Sequence, residues 1–268
     1  MSLRHLAFAF SLAALPAIAA DPVPMAAHRA QYNLVMDSSR GGDVTAAGGT
    51  MDYELTDACD GWATRQRLAM TLTNRDGQDI QSVSDYATWE SKDGLSMRFR
   101  MRQTTDTAVT EQVEGTATLE SVGGPGTITY TMPEAKTMPI TLGTVFPMGH
   151  TEAIIAAASS GKRFVALPIF DGTGAKGVQD SSVAIANWGG TGGTPYAPLA
   201  DMPSGRVRIA FFDREKAPDA KEKVAGSPDY EVGMKYWANG VSDDLQMDFS
   251  DFVMRGKLTE FTLLPPHC

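Results

Sequence analysis

Hydrophobic and polar positions alternate with period two along much of the chain. The cleanest case is Leu95–Arg102, where Leu95, Met97, Phe99 and Met101 oppose Ser96, Arg98, Arg100 and Arg102. Ala30–Met36 sets Ala30, Tyr32, Leu34 and Met36 on one side, and Thr50–Leu55 does the same with Met51, Tyr53 and Leu55. In Trp62–Leu72 the apolar Leu68, Met70 and Leu72 oppose Arg65 and Arg67. Strict alternation marks strands with one buried and one wet face, as in antiparallel sheets. Turn sequences separate these runs: Arg40-Gly41-Gly42-Asp43, Asn74-Arg75-Asp76-Gly77, Lys92-Asp93-Gly94 and Gly123-Gly124-Pro125-Gly126. Further strands are read over Phe164–Phe170, Val178–Trp188, Val207–Asp213, Tyr230–Ala238, Leu245–Met254 and Leu258–Leu264, with Asn239-Gly240 as a turn. Gly189–Pro203 and Glu215–Pro228 read as loops. Roughly a dozen strands or slightly more result, with no internal repeat that would indicate a propeller or solenoid.

One stretch breaks the pattern. Thr151–Ser160 predicts a helix, with Thr151 as N-cap, Glu152 in the first turn and Gly161 as the stop. Ile154, Ile155 and Ala158 share one face. A β-rich chain with one apolar helix in mid-sequence is expected to wrap its strands around it. The small run Ala156-Ala157-Ala158 predicts close approach of the strands, leaving little room for a ligand.

The first residues change the compartment. A basic start at Arg4, an apolar run from Leu6 to Ala19 and Ala17-Ile18-Ala19 form a secretory signal peptide over residues 1–19. The mature chain, residues 20–268, is expected to be one exported domain. Losing Arg4 takes the formal charge from −9 to −10, and an acidic surface disfavours nucleic acid and anionic membrane as partners. No second run is long enough to span a bilayer. Cys59 and Cys268 are the only cysteines, and an even pair in an exported protein reads as a disulfide, with two free thiols as the alternative. Two cysteines without neighbouring ligands lack zinc-type spacing, so no metal or cofactor is expected.

Several motifs suggest chemistry without completing it. Gly172–Gly177 fits G-x-G-x-x-G, but a strand rather than a helix follows, so a hairpin connection is the better reading. His150-Thr151-Glu152 matches H-x-E, yet the P-C-x-x-C element of zinc deaminases is missing. No nucleophile elbow is present, and Asp243-Asp244 reads as a solvated turn. Arg98, Arg100 and Arg102 form a basic stripe. It is either a charged outer face that discourages edge pairing or a docking stripe for an acidic partner or phosphate headgroup. Met36, Met51, Met70, Met97 and Met101 fall on inner faces, either as core fillers or as the lining of an adaptable apolar groove.

Together these residues resemble a known family. Phe146-Pro147, His150-Thr151, the helix, Gly161 and Phe170-Asp171-Gly172 are similar to the central block of EipB-type cell-envelope integrity proteins of Gram-negative bacteria. The opening His28–Leu34, then Gly48–Glu54 and Asp57–Trp62, resemble that family too, and Cys268 matches its second disulfide cysteine. The resemblance spans nearly the whole mature chain. It implies a mainly β fold, in which a long antiparallel sheet forms a spiral or half-barrel around one central helix. It also implies a Cys59–Cys268 bridge and a periplasmic role in envelope integrity without enzymatic activity. The leading expectation is a monomeric, non-catalytic binding or scaffold module for an envelope protein, lipoprotein or lipid. The alternatives are a lipid or lipoprotein carrier with an apolar cavity, argued from the half-barrel analogy, and a hydrolase with a dispersed site.

Overall fold

The computed structural model describes residues 23–214, 227–249, 251–265 and 268. The expected signal peptide, residues 1–19, most of the charged loop Glu215–Pro228 and His267 lie outside the described residues.

The alternating segments become strands of one antiparallel sheet. The chain first lays down β1 (His28–Ser39), β2 (Val44–Asp57), β3 (Gly61–Asn74), β4 (Asp79–Ser91), β5 (Ser96–Thr105), β6 (Ala108–Leu119), β7 (Gly126–Met132) and β8 (Lys136–Ile140). It then forms α1 (Pro147–Ser159) and returns through β9 (Phe164–Ile169), β10 (Gln179–Gly190), α2 (Ala197–Ala200), β11 (Ser204–Asp213), β12 (Tyr230–Trp237), β13 (Ser242–Asp248) and β14 (Phe252–Leu263). The fourteen strands run in the order β8-β7-β6-β5-β4-β3-β2-β1-β14-β13-β12-β11-β10-β9. Two meanders therefore meet where β1 pairs with β14, and the sheet stays open at β8 and β9. Past the β8 edge, Val145 bonds to the end of β9: its N–H donates to Pro168 O at 3.0 Å, and its carbonyl accepts from Phe170 N at 3.1 Å.

The apolar face of each strand turns inward. Ala30, Tyr32 and Leu34 of β1 and Met97, Phe99 and Met101 of β5 are buried, while Arg98, Arg100 and Arg102 are exposed. One cluster gathers Tyr32, Leu34, Val183, Ile209, Met247 and Met254 around Ile154 and Ala158 of α1. A second fills the β5–β8 half with Met97, Phe99, Tyr130, Phe146 and Phe170. There Phe99 meets Phe170 edge-on at 5.1 Å and Tyr130 at 5.6 Å, a favoured aromatic geometry. Gly115 of β6 is needed for this packing, since a Cβ there would lie 2.3 Å from Thr129 O and 2.7 Å from the Phe99 ring.

Four expectations are corrected. Asp243-Asp244 is not a solvated turn but part of β13, where Asp243 is 2% exposed and accepts from Leu258 N–H at 2.8 Å and Lys257 Nζ at 2.9 Å. The helix starts at Pro147, a turn before Thr151, with Phe146 at the N-cap position and no acid in the first turn. Proline suits that start because the first helical N–H has no partner inside the helix. The apolar run Leu245–Met254 is two strands, because the chain reverses at Phe249, whose N–H donates to Phe252 O at 3.0 Å. The Gly189–Pro203 loop contains the short α2. The C-terminal stop is as expected. Gly161 has φ +80°, its N–H bonds Ala158 O, and Lys162 N–H bonds Ala157 O, a Schellman closure. Cys59, in the β2–β3 turn, is disulfide-bonded to Cys268 with a Cα–Cα distance of 5.6 Å.

Candidate functional site

The sheet does not close tightly on the whole helix. Beside the N-terminal half of α1 lies a hollow of about 570 Å³, adjoined by one of about 420 Å³. Ile154 and Ile155 are core residues, 0% and 2% exposed, but Met148 and Thr151 line the space. The expected lack of room for a ligand is thus corrected, because the alanine run lies a turn beyond the residues that face the hollow. Met51, Met234, Met247, Leu245, Val232, Phe211 and Phe249 supply an apolar wall. The phenols of Tyr32, Tyr53, Tyr230 and Tyr236 are pushed up by burial and so stay neutral.

One end of the hollow is polar. Gln179 pairs with Asp213 in the β10–β11 register, and Asp171, Thr173 and Asp229 join them in the lining. Asp171 accepts from Thr173 N and Oγ1 at 2.9 and 2.8 Å, while burial raises its pKa. Asp213 binds Lys176 Nζ at 2.6 Å, and its N–H donates to Asp229 at 2.9 Å. The geometry offers an apolar body with hydrogen-bond acceptors at one end. Pockets of this kind, with a few fixed polar groups, are the usual form of small-molecule sites.

Two buried polar groups near α1 were not singled out by sequence. Glu90 of β4 is 2% exposed and accepts the Met148 N–H through Oε2 at 2.9 Å, so it caps α1 from across the sheet. Its Oε1 has no partner among the described residues, and burial pushes its pKa up to about 8. Ser181 is the other. His150 Nε2 lies 2.8 Å from Ser181 Oγ, which itself donates to Leu167 O at 2.7 Å. The hydroxyl proton is therefore spent on the carbonyl and the imidazole must donate, the reverse of a base activating a nucleophile. Burial lowers the His150 pKa to about 4, consistent with a neutral donor. Among the described residues no cluster of His, Cys, Asp and Glu is arranged to hold a metal ion.

The basic stripe faces the opposite side of the sheet and is interleaved with other groups. Arg98 lies over the Trp89 ring at 4.4 Å, and Arg100 is 3.9 Å from Glu114. Arg100 and Arg102 border an outer-face groove of about 670 Å³. The structure brings Cys59 and Cys268 together, but it places the arginines and the hollow on separate faces.

A family model described as EipB-like matches residues 19–265. The chain belongs to the EipB-like family. This EipB-like chain is 31% identical over 255 residues to the cell envelope integrity protein EipB of Brucella abortus (strain 2308), covering 92% of the chain and 87% of that protein. Its fold matches the crystal structure of a β-barrel-like protein of a domain of unknown function, DUF1849, from Brucella abortus. The TM-score is 0.80 at 26% identity, covering 91% of the EipB-like chain and all of that one. An envelope-related relative agrees with the absence of any long apolar helix among the described residues of the EipB-like chain.

Proposed function

We propose that the chain is a non-catalytic binding protein of the periplasm that supports envelope integrity by holding an amphipathic molecule. The apolar body of the ligand occupies the hollow beside α1, and a hydrogen-bond-donating head meets Asp171 and Asp213. The observation that carries this reading is the hollow of about 570 Å³ lined by Met51, Met148, Met234 and Met247. Flexible thioethers adapt to irregular apolar ligands. Of the three readings left open by the sequence, scaffold, carrier and hydrolase, the hollow favours the carrier. The relative's name supports the envelope role.

The test is a titration of the protein with an environment-sensitive fluorescent monoacylglycerol, whose hydroxyl head can donate to Asp171 and Asp213. Saturable binding is expected at one site. Val232→Trp, which fills the space between the two hollows, should weaken it at least about tenfold with an unchanged circular dichroism spectrum, a loss equivalent to about 1.4 kcal/mol. Absence of saturable binding by the wild type would remove the proposal.

A further inference from the structure

The outer face of β1–β6 carries two cross-strand rows of charged side chains. The first runs Arg29, Glu54, Arg65, Ala87, Arg100, Glu114 through consecutive strand pairings. Signs alternate along it except at β4, where Ala87 stands between two arginines. The second row runs Gln31, Asp52, Arg67, Asp85, Arg102, Gln112. Directly opposed side chains in a sheet are near neighbours, and a charge flanked by opposite charges is the stabilising arrangement. The row therefore lacks an acid at Ala87.

The neighbouring carboxylates do not fill the gap. Glu54 binds Arg29. Asp85 binds Arg67 at 2.6 Å. Asp52 accepts from Gln31 at 2.8 Å. Glu114 is 3.9 Å from Arg100, the longer limit of an ion pair. Arg65 and Arg102 form no ion pair with any described residue. Between β3 and β6 the two rows hold four arginines, Arg65, Arg67, Arg100 and Arg102, and two acids, Asp85 and Glu114, while Glu54 and Asp52 of β2 oppose Arg65 and Arg67 from the other side. This positive excess sits on a chain of formal charge −9. The space is also concave: Arg65, Ala87 and Arg100 line both the 670 Å³ groove and an adjoining one of about 500 Å³.

We infer that the outer face holds an oxyanion site over Ala87, where Arg65, Arg100 and Arg102 bind the phosphoryl group of a discrete, soluble phosphate compound. Strands β3 and β5 are two spacings apart, about 9–10 Å, so arginines on both can converge above the small side chain between them. Planar guanidinium forks match phosphate oxygens in pairs. The net negative chain disfavours a whole anionic bilayer as the occupant, whereas a single molecule meets only the local field.

The test uses inorganic pyrophosphate as probe, at low and moderate salt, by calorimetry on the full mature protein. Saturable binding that weakens with salt is expected. Ala87→Glu supplies the missing carboxylate, so it should lower affinity at least tenfold while keeping or raising the melting temperature. Arg65→Gln and Arg100→Gln should each lower affinity several-fold with unchanged melting. Phosphatidylglycerol vesicles should bind no better than phosphatidylcholine vesicles. Pyrophosphate binding that is absent, or equal in Ala87→Glu and wild type, would overturn the inference. So would selective binding of anionic vesicles without pyrophosphate binding. A monoacylglycerol titration unchanged in Ala87→Glu separates this site from the interior hollow.

Discussion

The backbone N–H of Met148, in the first turn of α1, donates 2.9 Å to the buried carboxylate of Glu90, 58 residues earlier on β4. This bond joins the helix to the sheet at the wall of the hollow. It also leaves a carboxylate with one oxygen unpartnered and a pKa raised, chiefly by burial, to about 8. A group raised in the folded state contributes stability below its unfolded pKa near 4.5 and loses it as pH climbs through 8. Glu90→Gln keeps the acceptor for Met148 and removes the ionisation. It should raise the melting temperature at pH 7–8, by up to about 4 kcal/mol in stability, with the gain fading towards pH 4. Melts across that range check both sign and window.

His150 titrates with the opposite sign. Its pKa falls from 6.5 to about 4 on folding, because burial disfavours the charged imidazole. Stability from the neutral ring is complete above pH 6.5 and is lost as pH falls towards 4, by up to about 3 kcal/mol. Glu90 and Glu152, both raised by burial, gain stability over part of the same range and mask the loss in the wild type. The comparison of wild type with His150→Gln isolates it. The variant's stability deficit should shrink as pH drops from 6.5 to 4.

Ile155 tests the division of α1 into a packed half and a lining half. It is 2% exposed and does not border the hollow, whereas Met148 and Thr151 do. Ile155→Ala should cost about 2–5 kcal/mol in urea unfolding and leave monoacylglycerol affinity within about twofold. A large loss of affinity with little loss of stability would make α1 a movable plug instead.

The disulfide ties the β2–β3 turn to the last residue across a sequence separation of 209. Cys59→Ser should lower the melting temperature without changing the circular dichroism spectrum, by at most about 5 kcal/mol in the chain-entropy account. Two reactive thiols in wild-type protein isolated without reductant would contradict the bridge.

The strand pattern was legible in Leu95–Arg102, where inward positions are large and apolar, but the short β7, with inward Ile128 and Tyr130, and β8 were not read as strands. It failed at β4, whose buried positions include Ser82, Thr88 and Glu90, and at β6, which includes Gly115 and Ala117. The β4 failure is informative, since that polar inner face borders the hollow and caps α1. The helix start was misread for the same reason. Its cap comes from Glu90 rather than from a residue next to it in sequence, and Thr151 offers a false local signal. The β13–β14 reversal escaped notice because no glycine or proline marks it between Phe249 and Phe252. The charge gap at Ala87 depends on register across five pairings and cannot be read from one strand. Reading Arg98, Arg100 and Arg102 as a stripe along β5 found two of its three arginines.

The central claim is that the hollow beside α1 carries an amphipathic ligand. Native mass spectrometry of the protein purified gently from its native cells tests it most directly. The wild type is predicted to show a bound mass that organic extraction removes, and Val232→Trp, purified in parallel, only the mass of the bare chain. The bare mass alone in the wild type, or the same adduct on Val232→Trp, would contradict the account.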